Sequence, residues 1–376
     1  QQAPAVDTSI EAWTFILAAS VLEFLAFGYS FAFGVLQDYY ASPSEQDAKL
    51  PLFQNANPLA ISAVGTIGSG LQYCLGIVFE PVYKAYPTTI KISMWTALVA
   101  TAAAFVLSSF ATRIWHLILL QGFLFGIASS ALYFPVIVHL TDWFAQRRAL
   151  ASGIIFGGSS AGGILFPFLF RVMLERLGFK TAMRVYACGF FVIGGLTIPF
   201  IRPRIKHSEH NPGFRMPDFS FCKSWTFVLF AISVVGHRLA YGPVSILISS
   251  YTRTFTTTQG ALPSTLALVL LNAAAMVSLV GFGWASDHFP FWHVMPIAGI
   301  GGCLSVALVL GFAQDFKAIY GFVICFGLTT GGYAAIWTAA AKYMAGNKHP
   351  AGFIFLSLSF VAGLATIVGP IVVGKL

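Results

Sequence analysis

Long apolar runs with almost no charge alternate with short polar turns along the whole chain. Eleven runs fall at about 12–36, 57–80, 91–111, 114–140, 150–172, 180–201, 225–250, 262–286, 291–313, 316–343 and 350–374. Each has the ~20 residues that an α-helix needs to span the ~30 Å hydrocarbon core of a bilayer, and none shows the ~10-residue alternation of a barrel strand. The pattern predicts an all-α integral membrane protein with many crossings. The longest clearly basic polar stretch, Arg202 to Ser224, lies between the sixth and seventh runs and reads as a cytoplasmic linker. It divides the chain into an N-terminal six-helix half (1–201), the linker (202–224) and a C-terminal half (225–376) with five visible spans.

Composition agrees. Only 9% of the 376 residues are charged and mean hydropathy is +0.79, against ~25% charged in soluble domains. The net charge of +8 sits in scattered loops with no aromatic-interleaved basic patch, which speaks against a nucleic-acid partner. Placing the N-terminus inside puts eleven Lys and Arg on inner loops and eight on outer ones. That is the sign expected of cytoplasmic loops, although Arg171, Arg176, Lys180 and Arg184 run against it. The five cysteines show no metal-ligand spacing, and no metal site or disulfide is expected. No P-loop, H-E-x-x-H or G-x-S-x-G motif is present, so neither enzyme nor cofactor is expected, and transport would draw on a gradient.

The stretch from Asp142 to Gly163 is the densest part of the chain. A polar turn with Arg147 and Arg148 is followed by an apolar helix carrying Gly153, Gly157, Gly158, Gly162 and Gly163. Such glycines let a neighbouring helix approach closely. A weak repeat links the halves: Gly76 precedes Glu80 by four residues at the end of span two, and Gly283 precedes Asp287 by four at the end of span eight.

These residues resemble a family. Trp143-Phe144, Arg147-Arg148 and Leu150-Ala151-Ser152-Gly153 are joined by Gly34–Tyr40, Leu132-Tyr133-Phe134-Pro135, Gly178-Phe179-Lys180-Thr181 and Gly331-Gly332 with Trp337. Together they look like the monocarboxylate porter family of the major facilitator superfamily, most similar to its fungal branch. The resemblance implies a major facilitator fold: two six-helix halves rocking about a midplane site. The family pattern has twelve helices, and the twelfth is expected to lie outside this sequence. The chain departs from the animal-type members, because the end of span one has no lysine and the Leu271–Leu279 stretch within span eight has neither acid nor arginine. Lactate or pyruvate specificity therefore does not carry over.

Burying an ionisable side chain near the bilayer centre costs ~2.5–3.5 kcal/mol on insertion scales, so such residues mark candidate chemistry. Glu23 is midway along span one, and His237 and Arg238 are midway along span seven. The resemblance makes these two spans symmetry mates that line the central cavity. Arg238 or His237 is expected to meet a substrate carboxylate or polar group, and Glu23 to bind a proton, since low dielectric penalises its charged form. The rival reading is a structural Glu23–Arg238 lock between the halves. Adjacent helical residues point ~100° apart, so only one of His237 and Arg238 is expected to face the cavity. Tyr241 shares the His237 face, and Tyr29, Tyr133, Asn272, Tyr333 and Trp337 are further candidates for the substrate site. Glu80, Arg147, Arg148 and Asp287 are expected to form a cytoplasmic gate.

The resulting expectation is a secondary active transporter, in the plasma membrane among lipids, for a small or medium organic acid or related metabolite, with a co-transported proton. One rival is an exporter of a larger, less charged secondary metabolite. Another is a non-transporting nutrient sensor on the same fold.

Overall fold

The computed structural model describes residues 4–43, 47–53, 57–204, 218–254, 262–313, 315–346 and 348–373, which form helices and turns with no strand among them. Among the described residues, ten helical stretches are long and apolar enough to cross a membrane. The longest, Arg148–Phe200, has 53 residues, about 80 Å at ~1.5 Å per residue. That is far more than a bilayer core, so it cannot be one crossing. Gly178 breaks it with φ 72° and ψ 168°, a conformation that side chains with a Cβ rarely adopt. Divided there, the described residues hold eleven membrane-length helices, the number that hydropathy predicts.

We number them α1 (Ile10–Ala41), α2 (Pro58–Ala85), α3 (Thr89–Ser108), α4 (Ile114–Trp143), α5 (148–177), α6 (179–200), α7 (Trp225–Thr254), α8 (Leu262–His288), α9 (Phe291–Leu310), α10 (Phe316–Ala345) and α11 (Ala351–Val373). Most of the expected linker, residues 205–217, lies outside the described residues.

Local chemistry starts these helices where the polar turns fall. Ser9 Oγ accepts from Ala12 N at 3.3 Å, Asn57 Oδ1 from Leu59 N at 2.9 Å, and Asp315 Oδ1 from Ala318 N at 2.9 Å. Each satisfies a backbone donor at a helix start. Asp47, in the segment after α1, accepts from Phe179 N at 2.7 Å and so caps α6 just past the Gly178 break.

The glycines of α5 give it two close neighbours. A Cβ on Gly162 would meet Gly28 Cα at 2.5 Å and Phe24 O at 2.7 Å, and one on Gly158 would strike the Ser20 carbonyl, all on α1. On its other side Gly153 abuts the Leu279 carbonyl and Gly163 abuts the Asn272 amide, both on α8. Helix α5 is thus wedged between α1 of its own half and α8 of the other. Helices α2 and α11 make a second seam, with Gly363 against Cys74 and Gly70 against Ile367. In a membrane, where lipid is as apolar as leucine, such close packing is what holds helices together.

Candidate functional site

At the centre of the bundle the two halves enclose a small cavity of about 50 Å³. The midplane ionisable residues line it: Glu23 of α1, and His237 and Arg238 of α7. Both α7 residues reach the cavity, where only one was expected. Tyr133, Tyr241 and Trp337 line it as well.

The Arg238 guanidinium lies 4.3 Å from the Tyr73 ring centroid and 5.3 Å from that of Trp337. Aromatic faces on two helices thus hold the cation by their quadrupoles. One face comes from α2 in the N-terminal half and the other from α10 in the C-terminal half. His237 stacks on Tyr333 with centroids 4.4 Å apart, and on Tyr241 at 5.5 Å.

Helix α10 is interrupted by a turn at Gly331–Gly332, where Ser278 Oγ accepts from Gly332 N at 3.0 Å. Broken helices of this kind are tolerated in a bilayer where protein or a cavity surrounds them. Next to the break, the Thr330 carbonyl accepts from His237 Nε2 at 3.0 Å. With the proton on Nε2, a neutral His237 presents Nδ1 as a bare acceptor.

Twelve buried side-chain polar atoms have no hydrogen-bond partner among the described residues. Five of them belong to this one lining: Glu23 Oε2, Ser160 Oγ, His237 Nδ1, Arg238 Nε and Trp337 Nε1. A buried polar group left unpaired costs ~1–3 kcal/mol, so this cluster sets the lining apart from the packed interior. No ion pair joins Glu23 to Arg238: among the described residues, neither is within 4 Å of an opposite charge. The lock between them is absent in this conformation.

The other expected site residues lie elsewhere. Tyr29 is buried inside the N-terminal half and donates to Gln121 Oε1 at 3.1 Å. Asn272 Nδ2 donates back to the Leu268 carbonyl at 2.9 Å, and its amide fills the notch at Gly163. Tyr333 stands behind His237, paired with Ser233 Oγ at 2.7 Å. Residues that the sequence reading did not single out complete the lining, chiefly Tyr73, Phe156, Ser160 and Phe355. They are uncharged aromatic and hydroxyl side chains, like many others in their runs.

The face carrying the Arg147–Arg148 turn is closed. Asp287 at the end of α8 accepts from Ala149 N at 2.9 Å and Leu150 N at 2.7 Å. A carboxylate from one half thereby caps a helix of the other. Lys342 Nζ donates to the Ala145 carbonyl at 2.8 Å, and Ser152 Oγ pairs with Thr338 Oγ1 at 3.0 Å. Glu80 pairs instead with Lys84 on its own helix. Arg147 is exposed, and its backbone N–H donates to Asp7 at 3.2 Å. Arg148 sits at the seam beside two cavities, one bordered by Asp287 and the other by Glu80. On the opposite side Gly34 of α1 lies close to the Ile246 carbonyl of α7.

Comparison with known proteins gives the family. The Major Facilitator Superfamily profile matches residues 12–370. The chain is similar to MFS-type transporter pynF of Aspergillus niger, 28% identical over 89% of this chain and 74% of that protein. It is similar to the aspyridones efflux protein apdF of Emericella nidulans, 24% identical over 99% of this chain and 73% of that one. It is also similar to the Fujikurins efflux protein of Gibberella fujikuroi, 27% identical over 95% and 75%. Eleven crossings, two halves joined through α5–α8 and α2–α11, and a match across nearly the whole chain lead to one conclusion: this chain belongs to the Major Facilitator Superfamily and is a multi-pass membrane transporter.

Proposed function

We propose that this transporter exports a secondary metabolite bearing an acidic or strongly polar group, by alternating access of its two halves around the central cavity. The observation that carries the reading is the cluster of five unpartnered polar atoms in one aromatic lining at the junction of the halves. Arg238 offers the substrate a donor and a positive charge. His237 Nδ1 offers an acceptor, and the surrounding rings offer flat apolar surface. The names of the relatives, two of them efflux proteins, favour the exporter over uptake of a small organic acid. The absence of a lysine from α1 and of an arginine from α8 points the same way.

At about 50 Å³ the cavity holds one or two waters, each taking ~30 Å³ in the liquid. Drug-sized ligands need ~300–1,000 Å³, so substrate enters only when the halves part. Glu23 is 4% exposed and free of any ion pair, and we assign it the coupling proton. A carboxyl in that setting is neutral when loaded, and it must ionise to let the proton go.

The test is flux from proteoliposomes loaded in turn with a panel of acidic and neutral secondary metabolites and small organic acids. We expect at least one conjugated, acidic metabolite to leave faster than from protein-free liposomes, and faster still with an imposed proton gradient. If only small organic acids move, the exporter reading is wrong.

A further inference from the structure

Beside the Asp287 clasp, where α8 ends and α9 begins, lies a second and larger cavity of about 340 Å³. Its wall is of two kinds. Arg148, Lys342 and Ser286 give it polar donors, and Phe289, Trp292 and Tyr343 give it an aromatic side. Two of the twelve unpartnered buried atoms are here, Arg148 Nε and Ser286 Oγ. Lys342 Nζ spends one N–H on the Ala145 carbonyl, and an ammonium has three to give. Asp287 is the only carboxylate of the lining, and both its oxygens already accept backbone amides. Among the described residues the lining itself holds two cations against one carboxylate, with Asp142 near Arg148 just outside it.

The aromatic side faces outward. Phe289 is 56% exposed, Trp292 48% and Tyr343 58%, and the Trp292 and Tyr343 rings lie 5.3 Å apart. Trp and Tyr at helix ends take the headgroup level of a bilayer, and basic pockets between helices on the cytoplasmic side suit acidic lipid headgroups. A soluble anion has no use for such a wall, whereas a lipid lays its glycerol and upper acyl chain along it.

We propose that this cavity binds the headgroup of an acidic phospholipid from the cytoplasmic leaflet. Arg148, Lys342 and Ser286 hold the phosphate, and Trp292 and Tyr343 flank the chain. Arg148 belongs to α5, and Ser286, Lys342 and the rings belong to the other half. The site is therefore whole only while this face is closed, and a bound lipid favours that closed arrangement over the open one.

Native mass spectrometry of the purified full chain, after exchange into mixed micelles of phosphatidylinositol and phosphatidylcholine with matched acyl chains, reads the effect. We expect preferential retention of phosphatidylinositol and no displacement by inorganic phosphate. Lys342→Gln should lower retention about fivefold, the equivalent of ~1 kcal/mol for one basic group, while Lys84→Gln on the same face should leave it unchanged. Equal retention of the two lipids by the wild type would overturn the proposal. So would full displacement by inorganic phosphate, or retention in a folded Lys342→Gln equal to that of the wild type. The lipid comparison in the wild type decides the matter even if Lys342→Gln does not fold.

Discussion

Glu23 and Tyr29 stand six residues apart on the same helix, both almost fully buried among aromatic rings. Six residues turn a helix by about 240° net at ~100° each, so the two look into different parts of the molecule. Around Tyr29 the polar groups are paired. Its hydroxyl and that of Tyr40 both donate to Gln121 Oε1, at 3.1 and 2.8 Å, and Gln121 Nε2 reaches Met183 Sδ at 3.4 Å. Phe105, Phe125 and Tyr186 close over the cluster, and the Tyr186 hydroxyl alone lacks a partner. Around Glu23, five polar atoms stand unpaired beside empty space. The two regions share burial and composition. What separates a core from a site is whether the hydrogen-bonding capacity is used up within the protein.

That contrast can be broken most forcefully from the core side. Phe105→Ala should cost ~3–5 kcal/mol, as large-to-small changes in packed interiors do. It should show as a large drop in melting temperature and a loss of monodisperse protein in detergent. The cavity should respond in the opposite way. Arg238→Gln should weaken apparent substrate affinity by about 10- to 150-fold, the loss of a charged hydrogen bond worth ~1.5–3 kcal/mol. Its melting temperature should change little, because the lost ring contacts are offset by relief of a buried charge that has no ion pair. A lower melting temperature for Arg238→Gln than for Phe105→Ala would reverse the assignment of core and site.

A smaller effect is expected at the seam. Asp287→Asn removes the charge that two backbone amides of α5 bind, weakening the clasp by ~1–2 kcal/mol. A Thr338→Cys reporter on a background without the native cysteines should then be labelled faster from the side that carries the Arg147–Arg148 turn. The matching carboxylate Glu80 pairs within its own helix, so Glu80→Gln should leave that rate nearly unchanged. Smallest of all, Tyr29→Phe should cost only ~0.5–1.5 kcal/mol of stability and leave transport intact.

The helices were legible because hydrophobic length is a strong signal in a membrane chain. Even the division of the 53-residue helix at Gly178 appears in the sequence as a polar, glycine-bearing turn between two apolar runs. The ionisable members of the cavity were legible for a related reason: a charge in a span is costly, so Glu23, His237 and Arg238 stand out. Tyr29 and Asn272 could not be told from Tyr133 and Tyr241 by sequence. In a soluble helix the polar face marks the side away from the core. Here lipid and protein are both apolar, every face looks alike, and periodicity does not say which side meets the other half. Tyr73 and Ser160 went unnoticed for the same reason. The partner of Asp287 was illegible too, since it is the backbone of Ala149 and Leu150 and no side chain.

The central claim is that the cavity bounded by Glu23, His237 and Arg238 is the transport site and that Glu23 carries the coupling proton. It is tested most directly by measuring gradient-driven accumulation and substrate exchange in the same proteoliposomes for the wild type, Glu23→Gln and Arg238→Gln. The account predicts that Glu23→Gln keeps exchange and loses accumulation, and that Arg238→Gln loses both at subsaturating substrate. Folded variants that accumulate and exchange substrate as the wild type does would contradict it.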